Sequence, residues 1–414
     1  MKILLGVSGS ISAYKSIDLA RLLVKSGHEV KVILTSGALK FVVPEVFTYL
    51  GVLDVYHSQD DFLHKNVLHV DLARWCDVLA VAPLSANTLS RLASGEASDL
   101  LSSVFLALEP SKRILVFPAM NTHMLNHPFT LENAEKIKKL KTLNNIFISS
   151  TDTGVLACEE VGAGKLPSVE EVAALITTMT LKLDSKSQKH FLVTTGATIV
   201  PLDPVRYLTN SSSGITGYFF AEEALSLGHK VTVIAGAEST EKLDLFKRHP
   251  NYKLLRVKTV STMHDAVMSE IKNADVYVSS AAISDIEFDV SSEKIKKDSF
   301  NESLPIKKAK DILKSVIELK LPDLKIVGFA AETDTSDEVI NKKMSSKPVD
   351  LLVATKVNNG LVNTNEVSGF TVDEAFYRLR DKRGFLFEGT LSKSQLAKKI
   401  IQYIYSINSI HPTK

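Results

Sequence analysis

Several short polar loops carry the residues of this chain whose types and spacing could do chemistry. Gly6-Val7-Ser8-Gly9-Ser10-Ile11-Ser12-Ala13 separates an apolar run from a helically periodic one. Backbone N–H groups and hydroxyls at such a junction can face an anion. Lys15-Ser16 follows, but Tyr14 stands where a Walker A loop requires glycine. The dinucleotide GxGxxG fingerprint is absent as well. The next apolar run ends in Thr35-Ser36 instead of the acid that holds an NAD ribose. Hydroxyls there suit a phosphate or the ribityl chain of a mononucleotide. The loops Ala82-Pro83-Leu84-Ser85-Ala86-Asn87-Thr88 and Pro118-Ala119-Met120-Asn121 also follow apolar runs. Further on, Thr194-Thr195-Gly196-Ala197-Thr198 and the Asn210-Ser211-Ser212-Ser213-Gly214 string form a second helix-capping anion nest. Here too the following run ends without an acid, at Ala235-Gly236, which disfavours NAD.

The elements that must position these loops read as alternating strands and helices. Lys2–Val7, Val30–Leu34, Val78–Ala82 and Ile114–Pro118 are continuous apolar strands, and Ser12–Ser26 is a helix closed by Gly27. Such strands imply a parallel sheet covered on both faces, with all four loops at its carboxyl edge. The pattern restarts at Phe191–Thr195, and Lys230–Ile234 repeats the second strand. The polar segment Lys182–Lys189 is the expected boundary. The fold class is therefore α/β, with two Rossmann-like domains, 1–187 and 188–414, each a mostly parallel sheet flanked by helices. Ser291–Ser303 reads as a mobile loop.

Composition excludes several function classes. A net charge of +2 gives no global pull toward nucleic acid. The run Lys294-Ile295-Lys296-Lys297 lacks the interleaved aromatics of a nucleic-acid face and, taken alone, is a solvated charge run. No segment approaches a membrane span, and the apolar start is too short for a signal peptide. Cys76 and Cys158 make no disulfide framework and no zinc spacing, which fits a reducing, cytoplasmic setting. Cys76, beside Trp75 at the start of an apolar strand, reads as a buried structural residue.

The Pro-x-Ser-Ala-Asn-Thr loop, His69-x-x-Leu72, Pro118-Ala119-Met120-Asn121 and Gly154-Val155-Leu156-Ala157-Cys158 together resemble the flavin-containing cysteine decarboxylases, the phosphopantothenoylcysteine decarboxylases above all. The resemblance spans residues 1 to about 182. It implies a Rossmann-like fold that binds FMN through Gly9, Ser10, Ile11, Thr35, Ser36, Ser85, Asn87 and Thr88 and assembles as trimers. It also implies chemistry in which a C-terminal CH2–SH is oxidised to a thioaldehyde, so that a C=S group β to the carboxylate accepts the electron pair left by CO2. His69 is then the base, Asn121 the carboxylate anchor and Cys158 the proton donor to the enethiolate. The chain departs from relatives at Glu159-Glu160, where Gly followed by an acid is usual, at Lys165, where Arg is common, and at Leu125, where some carry Trp. Gly154, Gly162 and Gly164 around Cys158 suggest a mobile flap.

The second half resembles the phosphopantothenate–cysteine ligases over about 190–405. The resemblance rests on Asp203–Gly214, Ala281-Ala282-Ile283-Ser284-Asp285, Lys294–Lys297, Gly328-Phe329-Ala330-Ala331-Glu332-Thr333, and Lys343 and Lys347 before Val349-Asp350-Leu351. It implies ligation of L-cysteine to 4′-phosphopantothenate through an acyl-cytidylate, with CTP converted to CMP and Mg2+ accompanying the CTP, in dimers that with the trimers allow a dodecamer. CTP falls to Ser279, Ser280, Ala281, Asp285, Lys294, Lys310, Asp311, Ile312, Leu313, Phe329, Lys343 and Lys347. Asn210 stabilises the acyl-cytidylate, and Arg206 lies near substrate and dimer interface. Departures are Thr355-Lys356-Val357 after the last strand, Lys310 where Pro is frequent, and an Asp285 one residue nearer Lys294 than in some relatives. A regulatory flavoprotein that binds FMN without catalysis is disfavoured because His69, Asn121 and Cys158 are all kept. A peptide-cysteine decarboxylase or flavin prenyltransferase leaves the second half unexplained.

Overall fold

The computed structural model describes residues 1–57, 60, 67–139, 145–179, 187–296, 304–359, 367–368 and 372–409. The Lys182–Lys186 part of the expected linker and the 297–303 part of the expected mobile loop lie outside these. The chain divides into two compact units, Met1–Thr180 and Leu181–Lys414.

In the first unit β1 (Lys2–Val7) runs through a tight turn into α1 (Lys15–Lys25), then β2 (Glu29–Leu34), α2 (Pro44–Tyr49), β3 (Asp54–His57), α3 (Leu68–Trp75) and β4 (Val78–Leu84). After these come α4 (Ala86–Ser94), α5 (Leu100–Ala107), β5 (Arg113–Pro118), α6 (Thr122–Leu125), α7 (Pro128–Lys139) and β6 (Ile146–Ile148). The hairpin β7 (Asp152–Val155) and β8 (Val161–Lys165) and helix α8 (Val169–Thr178) complete the unit. The sheet order is β3-β2-β1-β4-β5-β6, and every pair in it is parallel. Alternate side chains feed two cores. Leu5 and Val7 pack with Leu19, Leu23 and Leu175 on one face, and Leu4 with Leu79, Leu101 and Phe105 on the other. Gly27, at φ +81°, closes α1 in the left-handed region. The expected helix from Ser12 is corrected at its start. Ile11–Tyr14 is a 3-10 turn, capped by Ser10 Oγ accepting from Ser12 N, and the α-helix begins at Lys15.

The second unit opens with β9 (His190–Thr195), the hairpin β10 (Ile199–Pro201) and β11 (Tyr207–Thr209), α9 (Ile215–Ser226), β12 (Lys230–Ala235), β13 (Tyr252–Arg256), α10 (Val260–Glu270) and β14 (Val276–Ser279). It continues through β15 (Ile286–Phe288), β16 (Ile306–Lys308), α11 (Ile312–Glu318), β17 (Lys325–Glu332), α12 (Asp337–Ser346) and β18 (Leu351–Lys356). It ends with the short pair β19 (Asn358–Asn359) and β20 (Val367–Ser368), then β21 (Glu374–Asp381), β22 (Gly384–Ser392) and α13 (Lys393–Ser409). The main sheet order is β13-β12-β9-β14-β17-β18-β21-β22. It is parallel as far as β18, and β21 and β22 add antiparallel. That antiparallel end fits β21, where buried Ala375, Tyr377, Leu379 and Asp381 alternate with more exposed residues as in a strand covered on one face.

Helix α13 is fastened to the sheet through a buried histidine. Lys189 N donates to His229 Nδ1 at 3.2 Å, which leaves the ring hydrogen on Nε2, facing the Tyr405 hydroxyl. Burial, and next Lys189, push the His229 imidazolium down to about 4. The folded unit therefore keeps the ring neutral, whereas an unfolded histidine takes up a proton below about 6.5. Stability of this unit should fall as pH drops from about 6.5 toward 4 and be indifferent to this group above that window. His229→Gln should flatten that part of a plot of urea midpoint against pH. Parallel slopes for variant and parent would show that the histidine is not the titrating group.

Candidate functional site

In the first unit four loops meet at the carboxyl edge because their backbones and hydroxyls are tied together. Ser8 Oγ donates to Pro83 O and accepts from Ser85 N, both at 2.7 Å, which joins the loops after β1 and β4 across a cis Ala82–Pro83 bond. Ser10 Oγ donates to Ala119 O at 3.0 Å, which joins the loop after β5. A Cβ on Gly9 would lie 2.9 Å from Gly37 Cα, so the loops after β1 and β2 touch backbone to backbone. Between them lies a cavity of about 590 Å3. Of the residues expected at the flavin, Gly9, Ser10, Ile11, Ser85 and Asn87 line it, together with Asn121 and Cys158.

Asn121 and Cys158 meet through a hairpin rather than a loose flap. Asn121 caps α6, its side-chain oxygen accepting from His123 N at 2.8 Å. Its Nδ2 faces Cys158 Sγ at 3.4 Å and Glu160 Oε2 at 3.5 Å. Strands β7 and β8 pair antiparallel and rest on the Met120–Thr122 segment. Met120 N donates to Gly164 O at 3.0 Å, and Thr122 Oγ1 donates to Ala163 O at 2.6 Å. A Cβ on Gly162 would lie 2.2 Å from Thr122 Oγ1, and one on Gly164 (φ +125°) 2.0 Å from Met120 O. Those two glycines therefore permit close seating of the hairpin. Cys158 is exposed at its turn.

Four expected residues are not among those lining this cavity. The Thr35 hydroxyl is buried and accepts from Ala38 N at 3.3 Å, Ser36 is exposed, and Thr88 is buried beneath Ser85. His69 lies half-buried in the first turn of α3. The lining also includes residues not singled out as site residues, among them Tyr14, Lys15, Met124 and Lys165. Burial first, and Lys165 second, lower the Lys15 pKa. Lys15 was visible only as part of a failed Walker comparison, and Lys165 only as a departure from arginine. Cys76 is fully buried and burial raises its thiol to about 11, as a structural cysteine requires.

The second unit has a cavity of about 380 Å3 at the carboxyl ends of β9, β14, β17 and β18. Ser279, Ser280, Ala281, Asp285, Lys310, Asp311, Ile312, Leu313, Phe329, Lys343 and Lys347 line it, with Asn210. Ser280 Oγ donates to Thr194 O at 2.7 Å, and Asn210 Nδ2 to Ala282 O at 3.1 Å, so both bridge the gap between β9 and β14. Asp311 caps α11, accepting from Lys314 N at 3.0 Å, and pairs with Lys347 at 2.6 Å. Burial pushes the Asp311 carboxyl up, but the hydrogen bonds from Lys347 and Lys314 N outweigh it and hold it below the usual range. Lys343 pairs with Glu332. Lys294 is exposed and Arg206 is half-buried, and neither is among the lining residues. Arg206 Nε donates to the buried Asp203 at 3.0 Å and its guanidinium to Ile295 O at 2.9 Å, while Ile295 N donates back to Asp203 at 3.2 Å. The pair thus pins the segment that carries Lys294. Ser212, Ser213, Thr355, Tyr377 and Lys393 line the cavity without having been singled out as site residues. Among the described residues no cluster of acids, histidines and cysteines could hold a metal.

Residues 1–181 match the Flavoprotein family, and residues 186–407 match the DNA/pantothenate metabolism flavoprotein C-terminal domain. The coenzyme A biosynthesis bifunctional protein of Bacillus subtilis (strain 168) is 35% identical, covering 98% of this chain and 97% of its own length. This chain belongs to the family of bifunctional coenzyme A biosynthesis proteins. It has a flavoprotein decarboxylase half and a ligase half. The family's protein from Borreliella burgdorferi is 30% identical over 97% of this chain and 98% of its own length. Among solved structures, the C-terminal domain of a coenzyme A biosynthesis bifunctional protein aligns with 54% of this chain and 97% of its own, at 27% identity and TM-score 0.43. A PPC decarboxylase mutant complexed with pantothenoylaminoethenethiol aligns with 42% of this chain and 95% of its own, at 31% identity and TM-score 0.39.

The hairpin turn explains one departure from the family pattern. Glu159 has φ +66°, a left-handed conformation that costs a side-chain-bearing residue roughly 1–2 kcal/mol, and the Gly expected here from the resemblance would avoid that cost. Glu159→Gly should raise the melting temperature of the flavoprotein half, by up to about 1 kcal/mol in stability once the freer unfolded chain is counted. A lower melting temperature would show that the Glu159 side chain contributes more than its backbone costs.

Proposed function

We propose that the ligase half joins L-cysteine to 4′-phosphopantothenate through an acyl-cytidylate, converting CTP to CMP and pyrophosphate. The flavoprotein half then decarboxylates 4′-phosphopantothenoylcysteine to 4′-phosphopantetheine with FMN. The observation that carries the reading is that each half gathers most of its expected residues into one cavity at a carboxyl sheet edge.

The first cavity fits a mononucleotide. Gly9 lines it without a side chain, and Ser10, Ser12, Ser85 and Asn87 offer polar contacts to a phosphate and a ribityl chain. When bound, FMN supplies a reversible acceptor of hydride. The protein's own part is positioning and proton movement. Asn121 Nδ2, now facing the Glu160 carboxylate, can donate in the same way to a substrate carboxylate. The exposed Cys158 thiol, 3.4 Å from that nitrogen, can give a proton to the enethiolate carbon after CO2 has left. His69, as base, would be presented by an adjoining copy, since it does not line the cavity of its own chain. Trimers of this half and dimers of the ligase half belong to the same reading, and exposed Phe41 and Val43 in the first half and Val205, Tyr207 and Leu208 in the second offer apolar surface for contact between copies.

In the ligase half Lys310, Lys343 and Lys347 are the mobile point charges that suit a triphosphate. Lys343 and Lys347 would exchange Glu332 and Asp311 for phosphate oxygens. Lys294 would join from the segment held by Asp203 and Arg206. Asn210 stabilises the charge developing on the acyl oxygen. Mg2+ enters on the phosphates of CTP, as is usual for a cation that keeps several waters. A cytoplasmic setting belongs to the same reading.

Cys158→Ser tests the decarboxylase assignment. A thiol is a far stronger acid than a serine hydroxyl and gives up a proton far more readily. The variant should release CO2 once and yield an enethiol two hydrogens lighter than 4′-phosphopantetheine, seen by mass spectrometry. Full turnover to normal product would leave Cys158 a structural residue of the hairpin.

A further inference from the structure

Strand alternation divides the ligase cavity into two sides. Ala330 of β17 and Leu352 and Ala354 of β18 pack with Ile340 of α12, the helix that carries Lys343 and ends at Lys347. The intervening residues face the other way, where Phe329 meets Phe220 of α9 edge to face at 6.2 Å. The register sets Ala331 beside Thr355 and Thr355 beside Tyr377 on that second face. Helix α9, which packs there, brings Ile215 and Thr216 of its first turn to the cavity, and Thr355 and Tyr377 border it as well.

Two features on this side keep hydrogen-bond donors unused. At the start of α9, Gly214 supplies no side-chain cap. Gly217 N donates to Thr195 Oγ1 at 3.2 Å, but among the described residues the N–H groups of Ile215 and Thr216 meet no acceptor. The second feature is Tyr377, which is 3% exposed and whose hydroxyl has no hydrogen-bond partner among the described residues. Buried tyrosines usually find one. Tyr218 donates to Glu222 at 2.7 Å, and the Tyr277 hydroxyl faces Thr194 Oγ1 at 3.4 Å. The Tyr252 hydroxyl also lacks a partner, but it is sealed from solvent, whereas Tyr377 borders the cavity. Thr355, beside Tyr377, is already engaged, its hydroxyl donating to Phe376 O at 3.1 Å. Burial pushes the Tyr377 phenol up to about 12, so it remains a donor at neutral pH.

We propose that Tyr377 donates a hydrogen bond to the terminal phosphate of the nucleotide, whose phosphate run lies along the α9 side of the cavity. The inference rests on the ligase reading above and places the departing pyrophosphate within it. A phosphate carries several acceptor oxygens, which free N–H groups at a helix start and a protonated phenol can share. Asn210 and the start of α9 belong to one short segment, so the phosphate that takes the acyl group lies there. Tyr377 stands on β21, the third strand beyond β14 in the sheet, and so meets the other end of the run. Lys343 and Lys347 reach the same run from the α12 side.

The test uses Tyr377→Phe in the full-length enzyme, which removes the hydroxyl and keeps the ring. The KM for CTP should rise about tenfold, while the KM values for phosphopantothenate and cysteine stay within about twofold. Product inhibition locates the contact. Pyrophosphate carries only the departing phosphates and should inhibit the variant about tenfold more weakly than the parent, whereas CMP should inhibit both alike. An unchanged KM for CTP would show that the hydroxyl meets only water and would overturn the proposal. Weaker inhibition by CMP in place of pyrophosphate, or a rise in KM for phosphopantothenate in place of CTP, would also overturn it, by moving the contact to the nucleoside or the acyl donor. Failure of pyrophosphate to compete with CTP in the parent would do so without any variant, which matters if Tyr377→Phe does not fold. Pyrophosphate release from CTP and phosphopantothenate with no amino acid reports on the ligase reading separately. If the parent shows none, that reading fails; if the parent shows it and Tyr377→Phe changes nothing, only the phosphate contact fails.

Discussion

Strand β1 pairs parallel with β2 on one side and β4 on the other, and β9 does the same with β12 and β14. The chain must therefore leave the carboxyl ends of neighbouring strands in opposite directions, and the gap between the departing loops stays open. Everything that could do chemistry in either unit depends on that gap. In the first it is laced by Ser8 and Ser10, whose hydroxyls hold the loops after β4 and β5. In the second it is laced by Ser280 and Asn210, which reach across from one strand end to the next. The same serines and asparagines that make a polar pocket also fix its walls, so a substitution there would disturb shape and binding together.

Each unit completes its gap with a different device. The flavoprotein half adds the β7–β8 hairpin, which brings Cys158 over Asn121 because Gly162 and Gly164 let the hairpin settle on Met120 and Thr122. The ligase half adds ion pairs that hold lysines at the pocket, Lys347 with Asp311 and Lys343 with Glu332. It also extends its sheet with β21 and β22, so that α13 brings a buried cation to the far wall.

Apolar strands and the loops after them were legible because a doubly covered parallel sheet leaves a plain hydrophobic pattern. Residues one to three places beyond a strand end, such as Gly9, Ser85 and Asn121, could be assigned to the edge from that pattern and the family resemblance. Side-chain direction could not. Thr35 has the right position, yet its hydroxyl turns to Ala38 N and away from the cavity. The glycines around Cys158 suggested flexibility, and the steric room that Gly162 and Gly164 provide became legible only in the fold. Lys393 left no mark at all, because only the fold brings the start of the last helix to the wall of a cavity built by strands elsewhere in the chain.

The central claim is that one chain holds two successive activities in two cavities. The most direct measurement incubates the purified protein with 4′-phosphopantothenate, L-cysteine, CTP and Mg2+ and follows products by mass spectrometry. Phosphopantothenoylcysteine should rise first, with one CMP per ligation, and then give way to 4′-phosphopantetheine. Formation of neither product, or a reaction that ends at phosphopantothenoylcysteine with FMN supplied, would contradict the account.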